Sequence, residues 1–232
     1  MEFLVLKNVK KSYGQDENLV HVLKGIDLCL NKGELCVMLG PSGCGKSTLL
    51  NIIGGIDSCD EGQIFVDGKD ISQMKEKDLT KYRRFHLGYI FQMYNLIPNL
   101  TVRENIEVGA YLSDNPLDLD YLLRVLGLYE HQNKLPHELS GGQQQRTSIG
   151  RAVIKNPEIL LCDEPTGALD YRTSKDILGL LEDINEKYGT TILMVTHNDA
   201  LAHMADHIVR IKDGEILSDQ VNKKVSIKQI EW

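Results

Sequence analysis

The sequence contains no long apolar run, and this absence limits how the chain can meet a membrane. Its most hydrophobic stretches, residues 159–162 and 192–195, have the length of strands, whereas a membrane-spanning helix needs roughly 20 apolar residues. Residues 1–4 also lack the basic and apolar regions of a secretory signal. We therefore expect a chain that does not span a membrane and that stays in the cytoplasm.

The sequence also lacks an excess of basic charge and any closely spaced pair of cysteines. The chain has 26 Lys+Arg against 33 Asp+Glu and a formal charge of −7, so a broad electrostatic footprint for nucleic acid is not expected. The five cysteines form no C-x-x-C pair, which disfavours a zinc site or a disulfide framework and predicts buried thiols. These absences point away from a nucleic-acid partner and from a secreted scaffold.

The order of hydrophobic patterns predicts an α/β protein in which sheet comes first. Short apolar or alternating runs at residues 3–9, 28–30, 34–39 and 63–66 are separated by turn residues. From about residue 101 to 155 the pattern becomes helical, and Thr101-Val-Arg-Glu104 has the spacing of a capping box. We expect this middle block to form a separate helical lobe.

Two strand–helix alternations follow the helical block. Residues 159–163 precede a helical pattern at 177–184, and residues 190–196 precede a helix expected to reach Met204. Both strands are continuously apolar, as in parallel strands that are covered on both faces. A short strand after Asp213-Gly214 and a polar tail are expected to follow.

The segment from Gly40 to Ser47 matches the phosphate-binding pattern G-x-x-x-x-G-K-[ST]. It follows apolar residues 35–39 and opens a helical pattern, which is the context that the pattern requires. Its glycines let backbone N–H groups converge on phosphate oxygens, Lys46 reaches the terminal phosphates and Ser47 can ligate Mg²⁺. A glycine turn before a helix is the simpler alternative, but it does not explain the buried strand in front of it.

A second apolar strand ends in two carboxylates, Asp163 and Glu164. Asp163 would hold Mg²⁺ directly or through a water molecule, and Glu164 would orient or deprotonate the attacking water. Two acids after a strand more often form a solvated turn. Their combination with the phosphate-binding loop favours the functional interpretation.

The residues Leu139-Ser140-Gly141-Gly142-Gln143 stand before this acidic strand, and with them the sequence resembles the nucleotide-binding subunits of ABC transporters. The other family marks are Tyr13 in Lys-Ser-Tyr-Gly, Gln92 in Tyr-Ile-Phe-Gln, Ala168-Leu169-Asp170, and His197 after residues 191–196. Each mark alone has a structural alternative, since Ser140 and Gln143 also fit a plain capping box. Their order and spacing over residues 1–217 carry the resemblance.

Finer features resemble the macrolide-export and lipoprotein-release branch of the family, which includes antimicrobial-peptide exporters. They are residues 51–55, Arg83-Arg84, residues 95–102 and residues 141–146. Ala168 departs from the branch, which often has a serine-containing turn there, and Cys44 fills a variable position of the loop. Neither difference affects the predicted nucleotide site.

The resemblance implies a P-loop NTPase core with a mainly parallel sheet, an N-terminal antiparallel β subdomain and a helical subdomain. The core would comprise residues 1–92 and 151–217, the helical subdomain residues 93–150, and the tail residues 218–232. ATP and Mg²⁺ are the implied cofactors. Tyr13 would stack on adenine, and Ser47, Gln92 and Asp163 would contact the metal. The full ATP-binding set would be Tyr13, Gly40, Pro41, Ser42, Gly43, Cys44, Gly45, Lys46, Ser47 and Thr48.

The resemblance also implies that two copies pair head to tail, so that each ATP is shared between them. Glu164 would act as base, His197 would contact the γ-phosphate, and Gln92 would sense metal or water; these are the implied catalytic residues. A separate permease at the inner face of the cell membrane would dock a cytoplasmic helix on the surface near residues 92–100 and on the helical lobe. The residues implied to contact ATP bound by the other copy are Ser140, Gly141, Gly142, Gln143 and Asp170.

Two other functions stay open at this stage. A soluble ABC ATPase acting on DNA or ribosomes would be indicated by tandem cassettes, long coiled coils or zinc insertions, and the sequence has none of them. A regulatory cassette that does not hydrolyse ATP is disfavoured because Glu164 and His197 are both present. The sequence does not identify the cargo, and only the branch resemblance suggests export.

Overall fold

The computed structural model describes residues 1–231; Trp232, the end of the expected tail, lies outside them. The strands in chain order are β1 (Glu2–Tyr13), β2 (Val20–Asn31), β3 (Leu35–Leu39), β4 (Glu61–Val66), β5 (Lys69–Asp70), β6 (Leu87–Ile90), β7 (Ile159–Asp163), β8 (Thr191–Thr196), β9 (His207–Lys212) and β10 (Glu215–Val221). The α-helices are α1 (Lys46–Ile53), α2 (Glu76–Phe85), α3 (Val102–Ala110), α4 (Leu119–Val125), α5 (Gly141–Val153) and α6 (Tyr171–Tyr188).

The strands form two sheets. The N-terminal sheet is antiparallel, in the order β2-β1-β4-β5, and the larger sheet has the order β10-β9-β3-β8-β7-β6. In the larger sheet all neighbouring pairs are parallel except β10 with β9. This arrangement confirms the predicted fold class, a P-loop type α/β core with an N-terminal antiparallel sheet.

The continuously apolar strands are explained by burial on both faces of the larger sheet. Along β3, Leu35, Val37 and Leu39 belong to one buried cluster, whereas Cys36 and Met38 belong to the other. Successive side chains of a strand point to opposite faces, so a strand between two layers needs apolar residues at every position. One layer contains α5 and α6, and the other contains α1 and the antiparallel sheet.

The helical block of the sequence forms α3, α4 and α5. Thr101 caps α3 with the predicted capping box, in which its Oγ1 accepts from the Glu104 N–H at 3.3 Å. The segment after β8 is a 3-10 helix, Asp199–Met204. The sequence analysis did not predict α2 or β6, which lie between the antiparallel sheet and the helical block. The domain limits near residues 92 and 150 stay a prediction.

Part of the expected polar tail packs on the core. β10 continues to Val221, and a short 3-10 helix, Ile227–Gln229, follows it. Ile227 and Ile230 are buried, and the Ser226 hydroxyl donates to Glu182 on α6 at 2.9 Å. These contacts attach the described end of the chain to α6.

All five cysteines are free thiols. Cys36, Cys44 and Cys162 are buried as predicted, whereas Cys29 and Cys59 are only half-buried. Burial raises the pKa of the Cys36 thiol, which favours its unreactive protonated form. Among residues 1–231, no helix combines the length and the apolar character needed to cross a membrane.

Asn105 on α3 should be a determinant of stability, because its buried amide ties the preceding loop to the helix. Its Oδ1 accepts from the Ile97 N–H at 2.8 Å, and its Nδ2 donates to the carbonyls of Leu100 at 2.8 Å and Thr101 at 3.0 Å. We expect Asn105→Leu to lower the free energy of unfolding by about 2–4 kcal/mol, because it leaves buried backbone groups unpaired. Urea unfolding measures this, with exposed Asn115→Leu as the control that should change little.

Candidate functional site

The loop between β3 and α1 carries the predicted phosphate-binding residues. Gly43 and Gly45 have φ angles of 80° and 104°, which glycine adopts without steric cost. A Cβ on Gly45 would also lie only 2.8 Å from the Leu23 side chain. Because Gly45 has no side chain to cap α1, the first N–H groups of that helix are suited to bind an anion.

Lys46, the first residue of α1, is held inside the loop. Its side chain is buried, and its Nζ donates to the carbonyls of Gly40 at 2.7 Å and Pro41 at 2.9 Å. The Sγ of Cys44 lies 3.9 Å from the same ammonium group. A buried ammonium is stable only when it is paired, so these carbonyls position the positive charge where the loop's N–H groups converge.

Ser47 and Asp163 come together from separate parts of the chain. The Ser47 Oγ donates to the Asp163 Oδ1 at 3.0 Å, and burial raises the pKa of Asp163. Hydroxyl and carboxylate oxygens are the donors that Mg²⁺ prefers, and Mg²⁺ completes its shell with water and phosphate oxygens. Among residues 1–231 there is no cluster of three or more His, Cys, Asp or Glu that could hold a metal alone. The pair therefore fits Mg²⁺ delivered with a phosphate ligand.

Glu164 adopts a backbone conformation that is unusual for a residue with a side chain. Its φ is 46°, in the left-handed region that often marks functional sites. Its N–H donates to the Val195 carbonyl at 3.1 Å. One carboxylate oxygen accepts from the Thr196 hydroxyl at 3.3 Å, and the other lies 3.0 Å from the Nδ1 of His197. Glu164 and His197 thus form a pair at the ends of β7 and β8.

A single cleft of about 740 Å³ joins these groups. It is lined by the loop and start of α1 together with Tyr13, Gln92, Glu164 and His197. Gln92 is exposed and lies near Gly167. A Cβ added to Gly167 would be 3.8 Å from the Gln92 Nε2. The cleft therefore brings together most of the residues expected to bind ATP and all three expected to act in catalysis. Of the residues predicted for the site, those that line the cleft are Tyr13, Ser42, Gly43, Gly45, Lys46, Ser47, Thr48, Gln92, Glu164 and His197.

The residues predicted to contact ATP of a second copy lie outside this cleft lining. Ser140 caps α5, where its Oγ accepts from the Gln143 N–H at 3.3 Å. Asp170 caps α6 and accepts from the Thr173 N–H at 3.1 Å. A Cβ on Gly142 would lie 2.4 Å from the Thr173 side chain, so the two helix starts pack closely. The two groups, residues 140–143 and Asp170, form one surface whose role in a second site stays a prediction.

Several polar residues that support the site were not predicted from the sequence. Thr196 donates to Glu164, and Asp57 accepts hydrogen bonds from Lys11 and Tyr13. The buried Gln145 on α5 donates to the Pro165 carbonyl at 2.7 Å. Gln145 and Thr196 were cited only as members of longer patterns, residues 141–146 and 191–196, and Asp57 stands in no recognised motif. Each contact joins distant parts of the chain. Two of their partners, Tyr13 and Glu164, carried a signal in the sequence.

Comparison with known proteins identifies the family. The family model described as "ABC transporter" matches residues 23–167, and this range includes the phosphate-binding loop, Ser140 and both carboxylates at the end of β7. The chain belongs to the ABC transporter family. Ser140 also caps α5 through a capping box. It is therefore both the N-cap of that helix and a residue of the family signature.

Curated relatives place the cassette in the branch inferred from its finer sequence features. It is 44% identical to the bacitracin export ATP-binding protein BceA of Halalkalibacterium halodurans, over 93% of this chain and 87% of BceA. It is 42% identical to the macrolide export ATP-binding/permease protein MacB of Neisseria meningitidis, over 94% of this chain but 35% of MacB.

Another relative is a putative ABC transporter ATP-binding protein of Mycoplasma pneumoniae, 48% identical over 98% of the cassette. The cassette spans about half of that protein's length. Among solved structures, it resembles a dimeric ATP-binding cassette in a post-hydrolysis state bound to ADP and Pi. The TM-score is 0.87 and the identity 38%, over 96% of this chain and 100% of that one.

Lys46→Ala should abolish most nucleotide binding, because it removes the positive charge held by the Gly40 and Pro41 carbonyls. Loss of a charged hydrogen-bonding group should weaken ATP binding by at least about tenfold. Isothermal titration with Mg-ATP measures the change. Lys81→Ala, at an exposed lysine of α2, is the matched control. Unchanged affinity in the Lys46 variant would contradict the assignment of the phosphate site.

Proposed function

We propose that the chain is the ATP-hydrolysing subunit of an ABC exporter and that it acts with a second copy of itself and a separate permease. The observation that carries this proposal is the placement of the Glu164–His197 pair in the same cleft as Lys46. A phosphate-binding loop alone would support binding. A positioned carboxylate beside it supports hydrolysis, which disfavours the non-hydrolysing regulatory cassette.

In the proposed site the triphosphate lies on the loop and on the first N–H groups of α1. Lys46 binds the terminal phosphates, Tyr13 takes the adenine base, and Ser47 with Asp163 and Gln92 would hold Mg²⁺. When bound, Mg²⁺ would neutralise charge on the phosphate oxygens. The hydrogen bond between Ser47 and Asp163 supports the metal assignment, because it already places two oxygen ligands side by side.

Hydrolysis needs a group that accepts a proton from the attacking water, and Glu164 is the proposed base. Its carboxylate is oriented from two sides, by the Thr196 hydroxyl and by His197. His197 is mostly exposed, so its ring can also reach a γ-phosphate in the cleft. Gln92 lies near Gly167, as Glu164 does, and would report the state of the metal or water.

The proposed second copy supplies what one cleft lacks. Residues 140–143 start α5, and the N-terminus of a 13-residue helix favours a negative phosphate. In a head-to-tail pair this end would meet the γ-phosphate bound by the partner's Lys46. ATP then stabilises the closed pair more than ADP does, and hydrolysis lets the pair open. The dimeric cassette that resembles this chain supports the pairing.

A groove of about 600 Å³ beside β6 is the proposed docking place for the permease. Its apolar residues include Tyr89, Phe91 and Leu112, and Arg84 and Lys155 supply positive charge. Burial lowers the pKa of Lys155 to about 8. β6 leads directly to Gln92, so a cytoplasmic helix of the permease seated there would contact the element that precedes this residue. Through the permease the cassette would sit on the inner face of the cell membrane.

Export is the proposed direction, because BceA is named for bacitracin export and MacB for macrolide export. An antimicrobial peptide, a macrolide or a lipoprotein-type cargo is consistent with this branch. A soluble ABC ATPase that acts on nucleic acid or ribosomes is less well supported, because the formal charge is −7. Identification of the membrane protein that co-purifies with the chain would decide between these functions.

Glu164→Gln should bind Mg-ATP but hydrolyse it slowly. The substitution keeps the size of the side chain and removes the basic oxygen, and a general base contributes roughly 10²–10⁴-fold to the rate. Turnover should fall by about that factor. Steady-state phosphate release and ATP titration measure the two properties, and Glu158→Gln is the control at another half-buried carboxylate. Normal turnover would remove Glu164 from the catalytic role.

Ser140→Arg should leave ATP binding by the same chain nearly unchanged and should abolish hydrolysis. Ser140 lies outside the cleft that contains Lys46, and a long cationic side chain would block its contact with a second copy. Titration of the Ser140→Arg variant with ATP measures binding. Light scattering of the Ser140→Arg, Glu164→Gln double variant with ATP, compared with Glu164→Gln alone, measures pairing. Hydrolysis at the normal rate by monomeric Ser140→Arg protein would refute the shared site.

A further inference from the structure

A cluster of three charged or polar side chains includes Tyr13, the cleft residue that is expected to stack on the base. Asp57 lies in the loop between α1 and β4, whereas Lys11 and Tyr13 belong to β1. The Tyr13 hydroxyl donates to the Asp57 Oδ2 at 2.5 Å, and the Lys11 Nζ donates to the Asp57 Oδ1 at 2.9 Å. We call these three residues the Asp57 cluster. Both carboxylate oxygens of Asp57 are therefore engaged.

Lys11 has little freedom to move within the Asp57 cluster. The residue is only 7% exposed, and its ammonium also donates to the Ser58 carbonyl at 2.6 Å. The Lys11 Nζ lies 5.0 Å from the centroid of the Tyr13 ring and above it, within the range of a cation–π contact. One face of the Tyr13 ring is thus covered by a cation, so a base that stacks on the ring would use the opposite face.

The charge state of the Asp57 cluster supports its rigidity. Burial disfavours the charged carboxylate, but the hydrogen bonds from Tyr13 and Lys11 hold the pKa of Asp57 below its usual range. Asp57 is therefore an anion that accepts two charge-assisted bonds, which are shorter and stronger than neutral ones. Tyr13 is 44% exposed and lines the same cleft as Lys46. The bond to Asp57 restrains this exposed ring.

We propose that Asp57 is a positioning residue for the base of the bound nucleotide, acting through Tyr13 and Lys11. The proposal rests on the proposed function, in which Tyr13 receives adenine. Asp57 touches neither the base nor the phosphates. It fixes the plane of the Tyr13 ring and keeps Lys11 on the face away from the base, so that less freedom is lost when a base stacks.

This role predicts an effect that depends on the base. Asp57→Asn keeps the volume and a hydrogen-bond acceptor but removes the charge that binds Lys11 and Tyr13. It should weaken binding of Mg-ATP by about three- to tenfold, the effect of one weakened charged hydrogen bond. Binding of inorganic tripolyphosphate with Mg²⁺ should stay unchanged, because Lys46 and the loop contact only phosphate. Titration calorimetry of the full chain measures both affinities.

The matched control is Glu61→Gln. Glu61 pairs with Lys10 at 2.7 Å on the exposed surface next to the same loop, and it does not contact Tyr13. This variant should bind ATP and tripolyphosphate like wild type. Tyr13→Phe keeps the ring but loses the bond to Asp57, so it should weaken ATP binding about as much as Asp57→Asn. The double variant should be no weaker than either single variant.

Each result decides the proposal. Equal ATP affinity in wild type and Asp57→Asn would overturn it, as would additive effects of the two substitutions. Loss of tripolyphosphate binding in Asp57→Asn would also overturn it, because Asp57 would then support the whole cleft. Failure of wild type to bind Mg-ATP is a separate outcome and would refute the proposed function itself.

Discussion

The candidate site depends on one constraint, the meeting of the carboxyl ends of β3, β7 and β8 at one edge of the larger sheet. Leu39, which precedes the phosphate-binding loop, pairs with Thr196, and Asp163 pairs with Val195. This register brings Ser47 against Asp163 and brings Thr196 and His197 against Glu164. Residues far apart in sequence thereby form two contacts, the proposed metal ligands Ser47 and Asp163 and the Glu164–His197 pair that contains the proposed catalytic base. In open α/β sheets, ligands bind at this edge.

A second consequence of the fold is that the two groups of residues proposed to contact ATP, the cleft residues and residues 140–143 with Asp170, lie on separate surfaces. Lys46 and Glu164 line the cleft, and Asp163 lies behind it as the hydrogen-bond partner of Ser47. Ser140 and Asp170, which cap α5 and α6, lie outside the cleft lining. Inside the chain these surfaces are joined by Gln145, whose amide reaches Pro165, the residue after Glu164. In the proposed dimer, closure at one ATP would therefore be transmitted to the base that acts on the other.

Much of this could be predicted from the sequence, because the informative patterns are local. The strand before Gly40, the capping box at Thr101 and the apolar strands β7 and β8 were expected at the positions where they occur. α2 was missed because its only buried residue is Tyr82, so its apolar periodicity is weak. The polar contacts of Asp57 and Gln145 link distant segments, and no local pattern encodes such pairing.

The central claim is that one chain holds two separate halves of ATP sites, and complementation tests it most directly. A dimer of Lys46→Ala with Ser140→Arg would contain one site with both defects and one with neither. Each variant alone should be inactive, whereas an equimolar mixture should hydrolyse Mg-ATP, with activity rising as mixed dimers form. A mixture that stays as inactive as its components, although an affinity tag on one variant co-purifies the other with ATP, would contradict the account.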